Sequence, residues 1–476
     1  MIVICVLLLL SLSAILTPKF LYYLDVLTPE QETFTDFYDL PENSTDVVFL
    51  GSSHIYNGIN PVVFYEKTGF TAYDLAFSSL DIGSSYYMLE EMYRFQSPKY
   101  VVLDCYYLTS AVFKNDKVYN RITAYMKWSD IKYNYIQEWL DRDPDKTFIE
   151  KIFPVYAYHQ RWSDLSYKDF LYEDYQYVVM GYIPSGKTRT YSRDSYYEEY
   201  EFNSIPEETY EYLQKIVALC QEHGSTLIMT SIPYQGAREA LTEGIQAIAD
   251  EMGLIYLDYN EETLFDSIGL DLECDFLNAN HLNTYGAVKM TQTFAMWFLE
   301  NMTVENPCAK DQKVSELWNA EVTQWERDES MYLLLRCVDF NLYLPLLEDD
   351  RYVVFMTTKS FSADALSEEQ QQQLKELGCT CSFDEDNGAY MGIYQSGLAL
   401  EQANNTDINT IEGEIDGISY YIFADGSNCN IVIDGIEYGI DNSGLNFVVY
   451  DTVTERVIDA VCFNTSNNLK ASGSNR

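Results

Sequence analysis

Two short stretches carry residue types suited to nucleophilic chemistry. In Val47-Val-Phe-Leu-Gly51-Ser52-Ser53-His54 an apolar run ends on a glycine and two serines. A strand that stops there leaves a hydroxyl beyond its carboxyl end, where open α/β sheets bind ligands. A serine needs a base before it attacks. The second stretch, Asp275-Phe-Leu-Asn278-Ala-Asn280-His281-Leu-Asn283, supplies one in His281 and leads into a helical run near Tyr285. Ser53 and His281 are therefore read as nucleophile and general base. Taken singly, Ser53 also fits a structural N-cap and His281 a satisfied loop histidine; their position at the same sheet edge joins them. His54 points away from Ser53 if the chain is extended there, so it is read as a supporting, substrate-binding residue rather than the base.

Five apolar runs place these residues: Val47–Leu50, Ala72–Ala76, Tyr100–Asp104, Thr226–Pro233 and Leu254–Asp258. Rich in Val, Ile and Leu without polar alternation, they suit strands buried on both faces of a parallel sheet. Thr209–Gly224 and Ala237–Gly253 have helical periodicity and end at a capping glycine. The βαβ alternation predicts a three-layer α/β domain. Between the third and fourth runs lies an insertion, 108–206, too long for an idle loop and expected to form a lid or subdomain. It holds many tyrosines (Tyr119, Tyr125, Tyr133, Tyr135, Tyr156, Tyr158, Tyr175, Tyr177) and the group His159-Gln-Arg161-Trp162. That group is read either as a packed histidine with a tryptophan under an arginine stem, or as a substrate-binding cluster. After Asn306-Pro307 the texture changes. Residues 306–328 read as a linker or helix. Strand-like runs follow at Tyr332–Arg336, Tyr352–Met356, Tyr420–Phe423, Asn430–Asp434 and Asn446–Tyr450, interrupted by a helix from Ser367 to Gly378. The region 329–476 is expected to be a separate, mostly β domain.

The chain has 476 residues, with 74 Asp plus Glu against 30 Lys plus Arg, a net charge of −44. Cations that would hold a phosphate backbone are scarce, which argues against nucleic acid as a partner. With 47% hydrophobic residues and 42 tyrosines the chain has ample material for a core and is not a disordered acidic tail. Ten cysteines without a repeating spacing do not suggest a disulfide scaffold, and four scattered histidines suggest no metal site. No cofactor is called for. Residues 1–24 begin with an uncharged apolar run extended by Phe20-Leu-Tyr-Tyr-Leu24, just long enough for a spanning helix, with a cleaved signal as the rival. The expectation is a single-pass anchor in the cell membrane with the acidic body, 25–305 and onward, on the extracytoplasmic side.

Together the two chemical stretches resemble the SGNH (GDSL-type) hydrolase and acyltransferase superfamily over about 45–300. Its Gly-Asp-Ser block matches Gly51-Ser52-Ser53, which implies that Ser53 is the nucleophile, and its Asp-x-x-His block matches Asn278-x-x-His281, which implies His281 as base. The implied fold is a three-layer, flavodoxin-like α/β domain. Asn278 takes the place of the orienting Asp, a change that in a serine triad costs about 10⁴ in kcat when the histidine tautomer is lost. Asp275 is the alternative orienting carboxylate. The oxyanion glycine block falls near Asp74–Ser79 and the asparagine block near Asp104-Cys105, so backbone N–H groups of Ser53 and Ser79, and the position of Asp104, are the oxyanion candidates.

FLGSSH and HLNTYGA look like membrane-linked bacterial members that act beside polysaccharide or teichoic-acid acylation machinery. The implied partners are a cell-surface glycan or teichoic-acid-like polymer, and a membrane acyl carrier or MBOAT-type acyltransferase. Asn430–Tyr438, Ser443–Asp451, Val461–Thr465 and Val353–Lys359 resemble the interleukin-like EMT inducer (PANDER-like) fold in permuted order, which implies glycan binding. The expected activity is a serine-dependent O-acyl, chiefly acetyl, transferase or esterase on a surface glycan. The alternative is a non-catalytic glycan-binding scaffold with a decayed hydrolase domain.

Overall fold

The computed structural model describes residues 2–18, 29–143, 145–165, 169, 178–191, 204–235, 239–302, 307–361, 363–380, 389–396, 398–404, 409–415 and 417–473. The expectations on Phe20–Leu24, Tyr175 and Tyr177 lie outside these residues. The chain divides into two compact units, 1–184 with 189–326, and 185–188 with 327–476.

The first unit opens with helices α1 (Ile2–Leu16) and α2 (Pro29–Asp39). The sheet follows: β1 (Val47–Gly51), β2 (Ala72–Ala76), β3 (Tyr100–Asp104), β4 (Thr226–Ser231) and β5 (Ile255–Asp258), all parallel in the order β2-β1-β3-β4-β5. Every residue of β1, β2 and β3 is buried, as doubly covered strands require. Helices α3 (Ser53–Gly58) and α4 (Pro61–Thr68) join β1 to β2, and α5 (Ile82–Met92) joins β2 to β3. Because the chain leaves β1 toward β2 on one side and β3 on the other, the carboxyl ends of β1 and β3 flank the switch point where such sheets bind ligands.

The insertion between β3 and β4 contributes α6 (Asp116–Tyr125), α7 (Asp130–Arg142), α8 (Phe148–Ile152) and α9 (Val155–Tyr158) before α10 (Glu207–His223) returns to the sheet. Two of its tyrosines, Tyr119 and Tyr135, are wholly buried with Trp139 as the core of α6 and α7. Helix α11 (Glu239–Met252) precedes β5 and α12 (Glu262–Ile268) follows it. A hairpin of β6 (Phe276–Asn278) and β7 (His281–Leu282) leads into α13 (Thr284–Asn301). Phe64 of α4 and Phe294 of α13 each meet Phe49 with ring centroids 5.5 Å apart, closing one face of the sheet over β1.

The expectation of a single-pass anchor is overturned, and with it the placement at the cell membrane. Helix α1 has 15 residues, about 22 Å at 1.5 Å per residue, short of the roughly 30 Å of bilayer hydrocarbon. Among the described residues no helix is long and apolar enough to cross a membrane. Instead α1 lies along α9: Ser13 Oγ accepts from Val155 N–H at 3.1 Å, and Arg161 donates to the Leu16 carbonyl at 2.8 Å.

The second unit holds two antiparallel sheets. Helix α14 (Gln312–Leu334) runs into it and α15 (Phe340–Leu346) follows. One sheet contains β8 (Tyr352–Lys359), β9 (Ala389–Gln395) and β10 (Leu398–Asn404), with α16 (Glu368–Leu377) between β8 and β9. The other sheet is formed by β11 (Asn409–Ile415), β12 (Ile418–Ala424), β13 (Cys429–Ile433) and β14 (Ile436–Glu437). The chain then returns to the first with β15 (Gly444–Asp451), β16 (Arg456–Asn464) and β17 (Lys470–Gly473), giving the orders β10-β9-β8-β15-β16-β17 and β11-β12-β13-β14. Phe355, Ile393 and Val448 of one sheet and Ile422 and Ile431 of the other share one core. Tyr332–Arg336, read from sequence as a strand, is the last turn of α14 and its exit. Met331, Tyr332 and Leu334 are buried in that last turn. A short apolar run does not by itself separate buried helix from strand.

Candidate active site

The nucleophile corner is built by Ser52 and Asp104. Ser52 is the N-cap of α3 and its Oγ accepts from the His54 N–H, so the chain turns helical at Ser53 instead of continuing extended. The Ser52 hydroxyl in turn donates to Asp104 Oδ2 at 3.4 Å, tying the exit of β1 to the end of β3. Gly51 is required there: a Cβ would stand 2.7 Å from Asp104 Cβ and 2.8 Å from Ile55 Cγ1. The Asn57 amide donates to the Ser53 carbonyl at 2.9 Å and fixes the first turn. Ser53 is left half-buried with its hydroxyl free to meet a base.

His281 meets that hydroxyl. Ser53 Oγ–H donates to His281 Nε2 at 2.7 Å, and His281 Nδ1–H donates to Asn278 Oδ1 at 2.9 Å. The spacing Asn-x-x-His has a plain backbone cause. Asn278 and His281 are paired across the β6–β7 hairpin, and cross-strand partners project from the same face. Asn283 N-caps α13, accepting from Gly286 N–H at 3.1 Å, and holds the far end of the hairpin through the Cys274 carbonyl.

An asparagine beside a catalytic histidine can present either its oxygen or its amide, and only the oxygen keeps the useful tautomer. Here the backbone settles which. Asn280 N–H donates to Asn278 Oδ1 at 2.9 Å, and a flipped amide would set donor against donor. The oxygen therefore faces Nδ1, the proton stays on Nδ1, and Nε2 keeps its lone pair for Ser53. Asn280 was not singled out from sequence, because its contribution is a main-chain N–H. What Asn278 cannot supply is charge. Burial pushes the His281 pKa down to about 4.

Asp275 does not serve as the orienting carboxylate. It is fully buried, and its Oδ2 takes Lys289 Nζ and the Asp271 N–H, both at 2.6 Å. Asp104 accepts rather than donates: its carboxyl receives Ser52 Oγ–H and, at 3.4 Å, the Tyr106 N–H. Burial raises its pKa to about 7. Its place in the site is to position the corner, not to bind an oxyanion.

Ser79, the other oxyanion candidate, sits in a tight turn. It lies in the left-handed region at φ 61°, where glycine is the usual occupant, in a turn closed by Leu80 N–H on the Phe77 carbonyl. Phe77 N–H donates to the Gly51 carbonyl, so this turn is fastened to the strand that carries Ser53. Among the described residues no acceptor takes the N–H of Ser79 or of Ser53, and the Ser53 N–H belongs to the open first turn of α3.

His54 is brought beside the base, contrary to the expectation from an extended chain. Its ring is 5.1 Å from that of His281 and stacks on Tyr106 at 3.8 Å. Tyr106 and Tyr234, neither of which stood out in the sequence, wall this side of the site. His159, Arg161 and Trp162 belong elsewhere. His159 Nδ1 hydrogen-bonds the Tyr156 carbonyl, Arg161 pairs with Asp169 and the end of α1, and Trp162 is 68% exposed. Among the described residues no group of acidic, histidine and cysteine side chains is arranged to hold a metal ion.

No protein-family model matches the chain, and no curated protein matches it. Among solved structures it is similar to a protein described as lipolytic, of the G-D-S-L family, from Desulfitobacterium hafniense DCB-2. Identity is 12% and the TM-score 0.26, over 53% of this chain and 98% of that one. It is also similar to a protein described as an acylhydrolase from Bacteroides fragilis NCTC 9343, at 11% identity and a TM-score of 0.28, over 57% of this chain and 95% of that one. Likeness at these scores carries no argument about activity, which has to come from the side chains themselves.

Proposed function

We propose that the chain is a serine-dependent acyl-transfer enzyme, an O-acyl transferase or esterase, that moves a small acyl group, acetyl before others, to or from a glycan. The observation that carries the reading is the continuous relay Ser53 Oγ–His281–Asn278 with its tautomer set by the Asn280 N–H. Ser53 attacks the ester carbonyl of the donor as its proton passes to His281 Nε2, and the donor alkoxide leaves with that proton. The N–H groups of Ser53 and Ser79 are the donors offered to the oxyanion. A second hydroxyl, of water or a sugar, then takes the acyl group by the same steps in reverse. An acyl carrier or an acyltransferase of the MBOAT type would supply the donor, and the C-terminal unit would hold the polymer.

The second reading, a glycan-binding scaffold with a decayed hydrolase domain, is favoured by the uncharged partner of His281 and by Ser79 at a glycine position. Labelling the full chain with a fluorophosphonate and following p-nitrophenyl acetate turnover separates the two. The enzyme reading requires one adduct on Ser53 and turnover that Ser53→Ala abolishes; labelling elsewhere, or turnover surviving Ser53→Ala, leaves the scaffold.

A further inference from the structure

Beside the relay stands a buried imidazole that makes ring contacts and no side-chain hydrogen bond. His54 is 2% exposed, and neither ring nitrogen has a hydrogen-bond partner among the described residues. Tyr106 stacks on it at 3.8 Å, Tyr234 meets it edge-on at 5.4 Å, and His281 lies tilted against it at 5.1 Å. Tyr106 and Tyr234 also meet each other edge-on at 4.9 Å, so the group is braced within itself. Helix α3 explains the placement. Successive residues of a helix stand about 100° apart, so one turn presents Ser53 to His281 Nε2 and the next side chain, His54, to the ring that carries it. With Asn278 on Nδ1, the base is held at both nitrogens and on its ring.

The chemistry of His54 narrows what it can do there. A histidine that relays a proton or binds a polar group needs a partner at a nitrogen, and here both nitrogens are enclosed. A charge on this ring would be buried without a counter-ion. Burial, and after it the His281 ring, holds its pKa well below the ordinary histidine value and keeps it neutral. What remains is a flat, uncharged plate. The titratable groups packed about the two imidazoles are Tyr106 beyond β3 and Tyr234 beyond β4, with Asp104 of β3 and Asp258 of β5 behind Tyr234. On the hairpin side Asp275 is paired with Lys289 of α13. The cause that lowers the His281 pKa is burial, and the His54 ring is part of what buries it.

We infer that His54 is a positioning residue for the base: its uncharged ring, backed by Tyr106 and Tyr234, props the His281 imidazole in line with Ser53 and keeps water from that side of it. This rests on Ser53 being the nucleophile and His281 its base. His54 exchanges no proton and acts only through His281. The role belongs to the ring and not to its nitrogens, so phenylalanine should fill it and alanine should not. Truncation to alanine leaves room for one or two waters of about 30 Å³ each beside a ring that can hydrogen-bond them. A hydrated imidazolium regains its solvation, so the His281 pKa climbs toward its ordinary value of about 6.5. A base works above its own pKa, and the acid limb follows upward.

The test follows p-nitrophenyl acetate turnover by the full chain from about pH 4 to about pH 9 in wild type, His54→Ala and His54→Phe, with fluorophosphonate labelling of Ser53 alongside. His54→Ala should move the acid limb of kcat/KM upward by at least about one pH unit and lower kcat about 10-fold at little change in KM. His54→Phe restores the plate and removes two unmatched buried nitrogens. It should keep the limb near pH 4 and most of kcat, and melt a few degrees above wild type. Near-UV circular dichroism verifies that each variant is folded. A merely structural role would change the melting temperature and leave the limb in place. A limb unmoved in folded His54→Ala, or a folded His54→Phe whose limb is displaced or whose kcat falls by more than about 10-fold, overturns the prop while the serine reading stands. No adduct on Ser53 in wild type overturns the serine reading and the prop with it.

Discussion

Replacing Asn278 by aspartate tests the relay more sharply than deleting it. In the wild type His281 is held near pKa 4 by burial, and its Nδ1–H rests on a neutral oxygen at 2.9 Å. Aspartate keeps that oxygen, and the Asn280 N–H still has its acceptor, so the geometry is preserved and a charge is added. Two unit charges about 4 Å apart interact by about 4 kcal/mol at an effective dielectric of about 20. At 1.36 kcal/mol per unit that is about 3 pKa units, less the cost of burying the new carboxylate, hence about 2 to 3. The acid limb of kcat/KM should move from near pH 4 to about pH 6 to 7, because a base is active only above its own pKa and the carboxylate raises that pKa. Above the limb the rate should rise. With half of the imidazolium charge formed in the transition state, about 2 kcal/mol is gained, roughly 30-fold. The assay is p-nitrophenyl acetate hydrolysis from about pH 4 to about pH 9. An acid limb that does not move, or a fall of about 10⁴ as when a tautomer is lost, would refute the reasoning.

Three further outcomes follow from the same geometry. Ser53→Ala should lower kcat by at least about 10³ with little change in the melting temperature, since among the described residues the hydroxyl bonds to His281 alone. Lys289→Met should leave Asp275 buried with its charge unpaired; the lysine is partly exposed, so the expected loss is about 1 to 2 kcal/mol in urea unfolding, and none would show that the pair is idle. Asp74 is buried with neither carboxyl oxygen bonded among the described residues, and burial raises its pKa well above the usual carboxylate range. Its stabilising, protonated form is fully present below about pH 4 and is lost as the pH climbs through the raised value, so Asp74→Asn should match wild type in acid and exceed it increasingly toward alkaline pH. A stability difference independent of pH would rule that out.

The parts of the site written in local chemistry were legible in the sequence. A run such as Val47–Gly51 can only be comfortable between two covered faces, and a serine after it has to emerge at the sheet edge. Asn-x-x-His is likewise a local statement, since a two-residue turn sets its ends opposite one another. What escaped notice depended on the third dimension or on the main chain. Asn280 acts through its N–H, which every residue but proline possesses. Tyr106 and Tyr234 look like two of 42 tyrosines until β3 and β4, beyond whose ends they lie, are placed side by side. The leucines ending α14 were misread because a four-residue apolar run has no period to recognise. Helix α1 ends at Leu16, and the serine and proline about its end give an apolar run no fixed length as a helix.

The neutral partner of His281 has a meaning for where such a base can work. A body carrying a net charge of −44 draws cations to its surface, protons among them, so the solution touching the site is more acidic than the bulk. A histidine braced by aspartate would spend much of its time protonated and idle in that layer. One braced by an asparagine oxygen stays unprotonated until about pH 4, trading transition-state charge stabilisation for readiness. On so acidic a protein, an asparagine oxygen in place of a carboxylate leaves the His281 ring unprotonated over a wider range of pH.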